Sequence, residues 1–465
     1  MKSFWMKTLW KKPASLLKRC LKWRNKMDDE RQKLKNKYHV IIVGTGAAGL
    51  FCALALDPKL SILLVTKKGI KDCNSYLAQG GMCVLRNLDD FNDFMADTLK
   101  AGHYENREES VRTMILRSRD ILQKLLDYHV DFDRDGQDLS YTREGGHGKR
   151  RIVHCKDETG KAIVEKLVDQ VLERKNIQVL ENTEMVDLMI KDEACYGVCL
   201  DLHQGGGSNK GIQPVFADST ILATGGIGGL YENSTNFPHI KGDALGILRN
   251  YQVKTDHLNY IQFHPTTLFV EEKDGRRRLM TEALRGEGAY LLDSHGDRFT
   301  DELKPRDIVT GAIRQLMEKE NSNHVYLSMA HLDANRVKDR FPYIYAMCQE
   351  RGYDLTKDPI PIVPAQHYHM GGIDVDQKSR TSIDHLYAVG ECACNGVHGK
   401  NRLASNSLLE SMVFAQIIAE DIGPGDRESW ISQDLSWPLE RDWADFREKN
   451  QRGLKEAIEK NQLEK

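Results

Sequence analysis

Residues 38–51 read YHVIIVGTGAAGLF, and the fold turns on how this stretch is parsed. Positions 39–43 are a short apolar run rich in β-branched residues, the pattern of a buried strand. The run enters Gly44-Thr45-Gly46-Ala47-Ala48-Gly49, after which residues 50–56 read as a helix. Strand, glycine turn and helix are the context in which G-x-G-x-x-G carries information. The first glycine permits the tight turn, the second lets backbone approach a pyrophosphate, and the third lets the helix pack on the strand. The helix N-terminus then faces the phosphate charge. The hexamer alone leaves two readings open, a dinucleotide site or a glycine-rich turn that binds nothing.

The chain of 465 residues is long enough for two or three domains and an ample core. Its net charge of −2 gives no reason to expect a nucleic-acid partner. That balance hides an asymmetry. Residues 1–26 carry nine Lys or Arg and no acid, which leaves −11 for the remainder. Ten cysteines are scattered without a C-x-x-C pair, as expected for reduced thiols in a cytoplasmic protein and not for a metal site. No run approaches the eighteen apolar residues of a spanning helix. In residues 1–37, Leu16, Leu17, Cys20 and Leu21 have helical spacing among basic residues and tryptophans. They read as a basic amphipathic helix on an anionic membrane or, preferably, as an extension outside the fold.

Outward from the glycine turn, residues 60–65 read as a second strand that ends Thr66-Lys67-Lys68. A nucleotide site usually has an acid there for the ribose hydroxyls, so either the ribose is held differently or lysine favours a 2′-phosphate. NSYLAQGG at 74–81 and TREGGH at 142–147 are polar glycine loops, and DSTILATGG at 218–226 is a strand and tight turn returning to the same nucleotide. Between about 233 and 364 the texture changes. The blocks QFHP (262–265), TEALRGEG (281–288) and PRDI (305–308) crowd polar groups among glycines, as in a site-bearing insertion. QHYHMGG (366–372), LYAVGE (386–391) and NRLASNSLLE (401–410) follow, the last opening a helix through 418. From about 421 the chain is charged and helix-prone.

Six separated blocks in this order resemble the flavoprotein family of succinate dehydrogenase, fumarate reductase and L-aspartate oxidase. The resemblance covers roughly residues 38–421, and TREGGH, PRDIV and HGKNRLASNSLLE bring it nearest to the aspartate oxidase branch. It implies an α/β fold, with a discontinuous Rossmann-type FAD-binding domain (38–257 and 370–422) and an inserted α+β capping domain (258–369). A basic N-terminal extension (1–37) and a short helical tail (423–465) complete the expected organisation. It implies FAD contacts from the 44–49 turn, notably Thr45, Gly46, Ala47 and Ala48, and from Lys67, which makes NADP the weaker expectation. Asn74, Ser75, Tyr76, Leu77, Ala78, Gln79, Gly80, Gly81, Asp243, Glu391, Ser407 and Leu408 carry over likewise. Where the succinate enzymes attach flavin through a histidine, this chain has Asn74, so FAD is expected to be non-covalent.

For the site, the resemblance implies oxidation of L-aspartate to iminosuccinate. Arg402, with His264 and His367, would hold one carboxylate, since a guanidinium fork pairs bidentately with a carboxylate. Thr281 and Glu282 would lie about the second, Glu144 would face the ammonium, and Arg306 would transfer the proton. Oxygen or fumarate would reoxidise the flavin, and quinolinate synthase would be the pathway partner in NAD synthesis. The alternatives are a soluble fumarate reductase or succinate dehydrogenase-like flavoprotein, and a membrane-associated flavin-binding subunit. Lys400 departs from the family's usual small residue, and His369 occupies a variable position.

Overall fold

The computed structural model describes residues 34–202, 211–270, 272, 275–425, 429–431 and 436–463. The N-terminal amphipathic segment lies outside these residues. β1 (Lys37–Val43) alternates its side chains between two buried layers, Val40 and Ile42 on one face and Ile41 and Val43 on the other. A strand covered on both faces must be apolar throughout, which is why the run 40–43 has no polar residue. α1 (Ala47–Ala55) begins inside the glycine motif, three residues before the expected start, because Ala47 and Ala48 are themselves good helix formers. Gly44 has φ +115°, and a Cβ there would collide with the Ala223 carbonyl; one at Gly49 would collide with the Gly44 carbonyl.

β2 (Ile62–Val65) pairs parallel to β1, and after α2 (Thr159–Glu173) the strand β3 (Ile177–Leu180) pairs parallel to β2. β4 (Glu184–Lys191) and β5 (Ala194–Asp201) form an antiparallel pair, and β5 hands on to β6 (Ile212–Leu222). β6 lies parallel to β1, Val43 opposite Leu222, so the glycine turn and the turn after β6 open at the same sheet end. The short helix α3 (Asp243–Leu248) follows.

The chain then builds a second layer. β7 (Ile261–Leu268), α4 (Glu282–Gly286), β8 (Tyr290–Leu292), α5 (Arg306–Glu320), β9 (Val325–Ser328) and β10 (Ile360–His369) supply an antiparallel sheet in the order β7-β10-β9-β8. It has its own core, including Leu291, Ile313, Leu327 and Phe341. The chain returns with β11 (Leu386–Ala388), parallel to the second half of β6. The large sheet therefore runs β3-β2-β1-β6-β5-β4, with β11 beside β6. α6 (Asn406–Ile422) packs with α1 and α2 in one buried layer. α7 (Trp443–Leu463) lies in the segment read as a charged tail, yet it buries Leu454, Ala457 and Ile458 with α3 on the opposite face. No helix of the described residues is long and apolar enough to cross a membrane.

Candidate active site

The two layers meet at a cleft floored by the glycine turn. Gly44, Thr45, Gly46, Ala47 and Ala48 line it at one end. α1 has no side-chain cap at Gly46 and no acid in its first turn, so its N-terminus offers partial positive charge to an anion. The 74–81 segment forms a turn of 3₁₀ helix over Asn74–Leu77 and lines the same floor through Asn74, Ser75, Leu77, Ala78, Gln79, Gly80 and Gly81. Two of the expected residues lie outside this lining. Gly49 packs α1 against the turn and does not line the cleft, and Tyr76 turns away to bond Glu165 at 3.1 Å.

The acid missing from the end of β2 is supplied from elsewhere. Lys67 Nζ pairs with Glu184 Oε1 at 2.8 Å and Asp243 Oδ2 at 2.9 Å, and all three residues line the cleft. Lys67 and Asp243 were among the expected contacts; Glu184, which opens β4 with no motif around it, was not. At the centre, Glu391 is half-buried, accepts from the His369 amide at 3.1 Å, and is pushed up to about 7 by desolvation. Asn74 accepts from the Phe237 amide at 3.0 Å and donates to Asn236. Ser407 and Leu408 bring the uncapped N-terminus of α6 to the cleft. Among buried side-chain atoms without a protein partner are Thr224 Oγ1, Gln79 Oε1 and His264 Nε2, all on residues lining the cleft. Two helix N-termini, that of α1 with its Ala47 amide bonded to Ser75 Oγ at 3.0 Å, a glycine floor and orphaned polar atoms suit a long polar cofactor such as FAD.

Above this floor the second layer concentrates charge. His264 lies on β7 and His367 on β10, their rings 5.1 Å apart. The β7–β10 register slips between Gln262–Tyr368 and Phe263–Gln366, leaving His367 as the extra residue of a bulge. His367 Nδ1 meets Thr235 Oγ1 at 2.8 Å, and His264 Nδ1 engages the Thr266 backbone. Burial, then Arg306, hold both imidazoles well below their ordinary pKa, so they are neutral hydrogen-bonding groups.

Arg306 opens α5 and is almost wholly buried. Its Nε donates to Glu282 Oε2 at 2.5 Å and its Nη1 to Gln262 Oε1 at 2.8 Å. Asp307 takes no part in this; it bonds His103 at 2.8 Å. Glu282 also meets Arg285 Nη2 at 3.2 Å. Burial pushes Glu282 up, but Arg306 and Arg285 together hold it below the usual carboxylate range. Thr281 caps α4 through its side chain, which places Glu282 in the first turn. Arg402 is buried, stacks on Tyr368 with its guanidinium carbon 4.4 Å from the ring centroid, and donates to Ser407. Burial and the neighbouring Arg306 lower it to about 10. Gln262 bonds both arginines, a joint role its place in QFHP did not reveal.

Glu144 completes the cluster. Ser405 Oγ donates to its Oε2 at 2.5 Å, and its carboxylate lies against Gly80, where a Cβ would collide with it. Burial and Glu282 raise it above the usual carboxylate range. Thr281, Glu282, Glu144, His264, His367, Arg306 and Arg402 thus share one cleft with the glycine floor. Lys400 does not join them. It is half exposed and faces Glu105 and Tyr260. His369 bonds the Leu258 carbonyl at 3.1 Å, a packing contact. Among the described residues no group of His, Cys, Asp and Glu is arranged to hold a metal.

Residues 39–408 match the family described as FAD binding domain. An L-aspartate oxidase of Clostridium perfringens is 46% identical over 385 residues, covering 82% of this chain and 86% of the relative. One from Clostridium acetobutylicum is 45% identical, covering 82% and 87%. Among solved structures, an E. coli quinol fumarate reductase superposes with a TM-score of 0.79 at 27% identity, covering 91% of this chain and 74% of that one.

Proposed function

The chain belongs to the FAD-binding flavoproteins of the L-aspartate oxidase family, and from that premise we propose that it oxidises L-aspartate to iminosuccinate in this cleft. The observation that carries the reading is the meeting of Arg306, Arg402, His264, His367 and Glu144 above a glycine floor. Within it, the layer of residues 38–257 and 370–422 is read as the discontinuous Rossmann-type FAD domain, and residues 258–369 as its cap. Gly44 to Ala48, Lys67, Asn74 to Gly81 (without Tyr76), Asp243, Glu391, Ser407 and Leu408 would hold the cofactor non-covalently. FAD, when bound, supplies the two-electron acceptor.

The protein's part is to grip and discharge the substrate. Arg402, with the neutral imidazoles of His264 and His367 as donors, holds one carboxylate; Thr281, at the head of α4, lies toward the second. Glu144 faces the ammonium, which a dicarboxylate without nitrogen lacks. The proton is exchanged at the guanidinium of Arg306. The guanidinium is buried beside Arg402 and Arg285, with Glu282 as the countercharge. The cap closes this chemistry from solvent. Oxygen or fumarate serves as terminal acceptor, and iminosuccinate passes to a quinolinate synthase in cytoplasmic NAD synthesis.

The likeness to a fumarate reductase supports one second reading, a soluble dicarboxylate flavoprotein. Glu144 and Asn74 distinguish the two. Anaerobic mixing of the holoenzyme with L-aspartate or with succinate decides: bleaching of the flavin by aspartate alone is expected, and bleaching by succinate alone would establish the second reading.

A further inference from the structure

Glu144 sits on a loop whose far end is fixed by a buried ionic network. Arg151 is wholly buried, and its Nε and Nη2 donate to the two carboxylate oxygens of Asp90 at 3.0 and 2.9 Å. Its Nη1 reaches Asp97 Oδ2 at 2.6 Å and His147 Nδ1 at 3.1 Å. A guanidinium has no acceptor, so Nδ1 of His147 must be the acceptor of that bond. The ring hydrogen then sits on Nε2, which donates to the Ala404 carbonyl at 3.0 Å. The next residue is Ser405, whose hydroxyl binds Glu144. Gly148 N donates to Asp97 at 2.8 Å, tying the loop to the same acid. Burial and Arg151 push His147 down to about 4, so the ring stays neutral and Nδ1 keeps its lone pair.

We infer that His147 and Arg151 are positioning residues for amine recognition, bracing the Glu144 loop against the Ala404–Ser405 step and so setting selectivity for an amino dicarboxylate over one without nitrogen. The inference rests on the proposed function, since it assigns Glu144 to the ammonium. Neither residue lines the cleft, so each acts through Glu144 and Ser405 and not on the substrate. Asp90, Asp97, His147, Arg151, Ala404 and Ser405 all belong to the stretches 38–257 and 370–422 that build the large-sheet layer.

The test is a substrate split. In His147→Phe the KM for L-aspartate should rise about tenfold or more, while fumarate reduction by the same holoenzyme stays within about twofold. His147→Gln, whose amide carries one donor and one acceptor, should recover most of the loss. His147→Asn can meet Arg151 but cannot span to Ala404, and it should show the same split, which keeps the test open if the Phe variant does not fold. In a Glu144→Gln background, His147→Asn should add less than about twofold to the aspartate KM. Equal losses on both substrates, or additive losses with Glu144→Gln, would overturn the role. A wild-type enzyme that does not oxidise aspartate would instead overturn the function on which it rests.

Discussion

Arg306 is buried against Glu282 and Gln262, and Glu144 against Ser405 and Gly80, so each side chain has one available pose. Arg306→Lys keeps the charge but loses the fork. It should lower the rate of anaerobic flavin reduction by aspartate about 10²- to 10⁴-fold, the range for general acid–base groups. Aspartate binding, followed by flavin perturbation, should change far less; lost affinity with an unchanged reduction rate would move Arg306 from proton transfer to binding. Glu144→Gln removes the charge proposed to face the ammonium, a hydrogen bond to a charged group worth about 1.5–3 kcal/mol. Aspartate kcat/KM should fall roughly 10- to 100-fold with fumarate reduction nearly intact, and equal falls would remove Glu144 from amine recognition.

Elements carry these residues to the cleft, and they differ in how far sequence exposed them. β1, the glycine turn and α1 were legible because the constraint is local: Gly44 adopts φ +115°, which favours glycine whatever surrounds it. Gly44→Ala should therefore yield protein with little bound FAD, measured as the ratio of flavin to protein absorbance. Glu184 was not legible, because its pairing with Lys67 joins the start of β4 to the turn after β2, far apart in the chain. The bulge that frees His367 depends on register between β7 and β10, which no single strand records. The outward turn of the Tyr76 side chain was not legible either, because a loop motif does not say which side chains of a 3₁₀ turn face inward. α6 offers a separate test through Glu410, buried beside Asn395 and pushed up from 4.5 to about 7 by burial. The folded protein thus holds a proton that the unfolded chain releases. This contribution is fully present below about pH 4.5 and is lost as pH rises through about 7. At 1.36 kcal/mol per unit the loss is on the order of 3 kcal/mol. Urea midpoints of Glu410→Gln should accordingly fall less than those of wild type between pH 4.5 and pH 8.

The molecule as a whole joins two layers around one cofactor cleft, and the manner of attachment can be checked directly. Asn74 is occupied in bonds to Asn236 and Phe237. Acid denaturation should release all the yellow flavin into the supernatant; flavin pelleting with protein would show a covalent link. The same architecture has a consequence in time. β6 completes its pairing only when β11 arrives, about 160 residues later in the chain. At ribosomal rates of about 5–20 residues per second, that is a wait of roughly 10–30 s. Until then the end of β6 nearest the glycine turn is an open edge, and the α6 N-terminus has not been made. A nascent chain halted before residue 386 should therefore have its nucleotide turn without a cradle, recruit chaperones at that edge, and acquire cofactor only once β11 and α6 have been made.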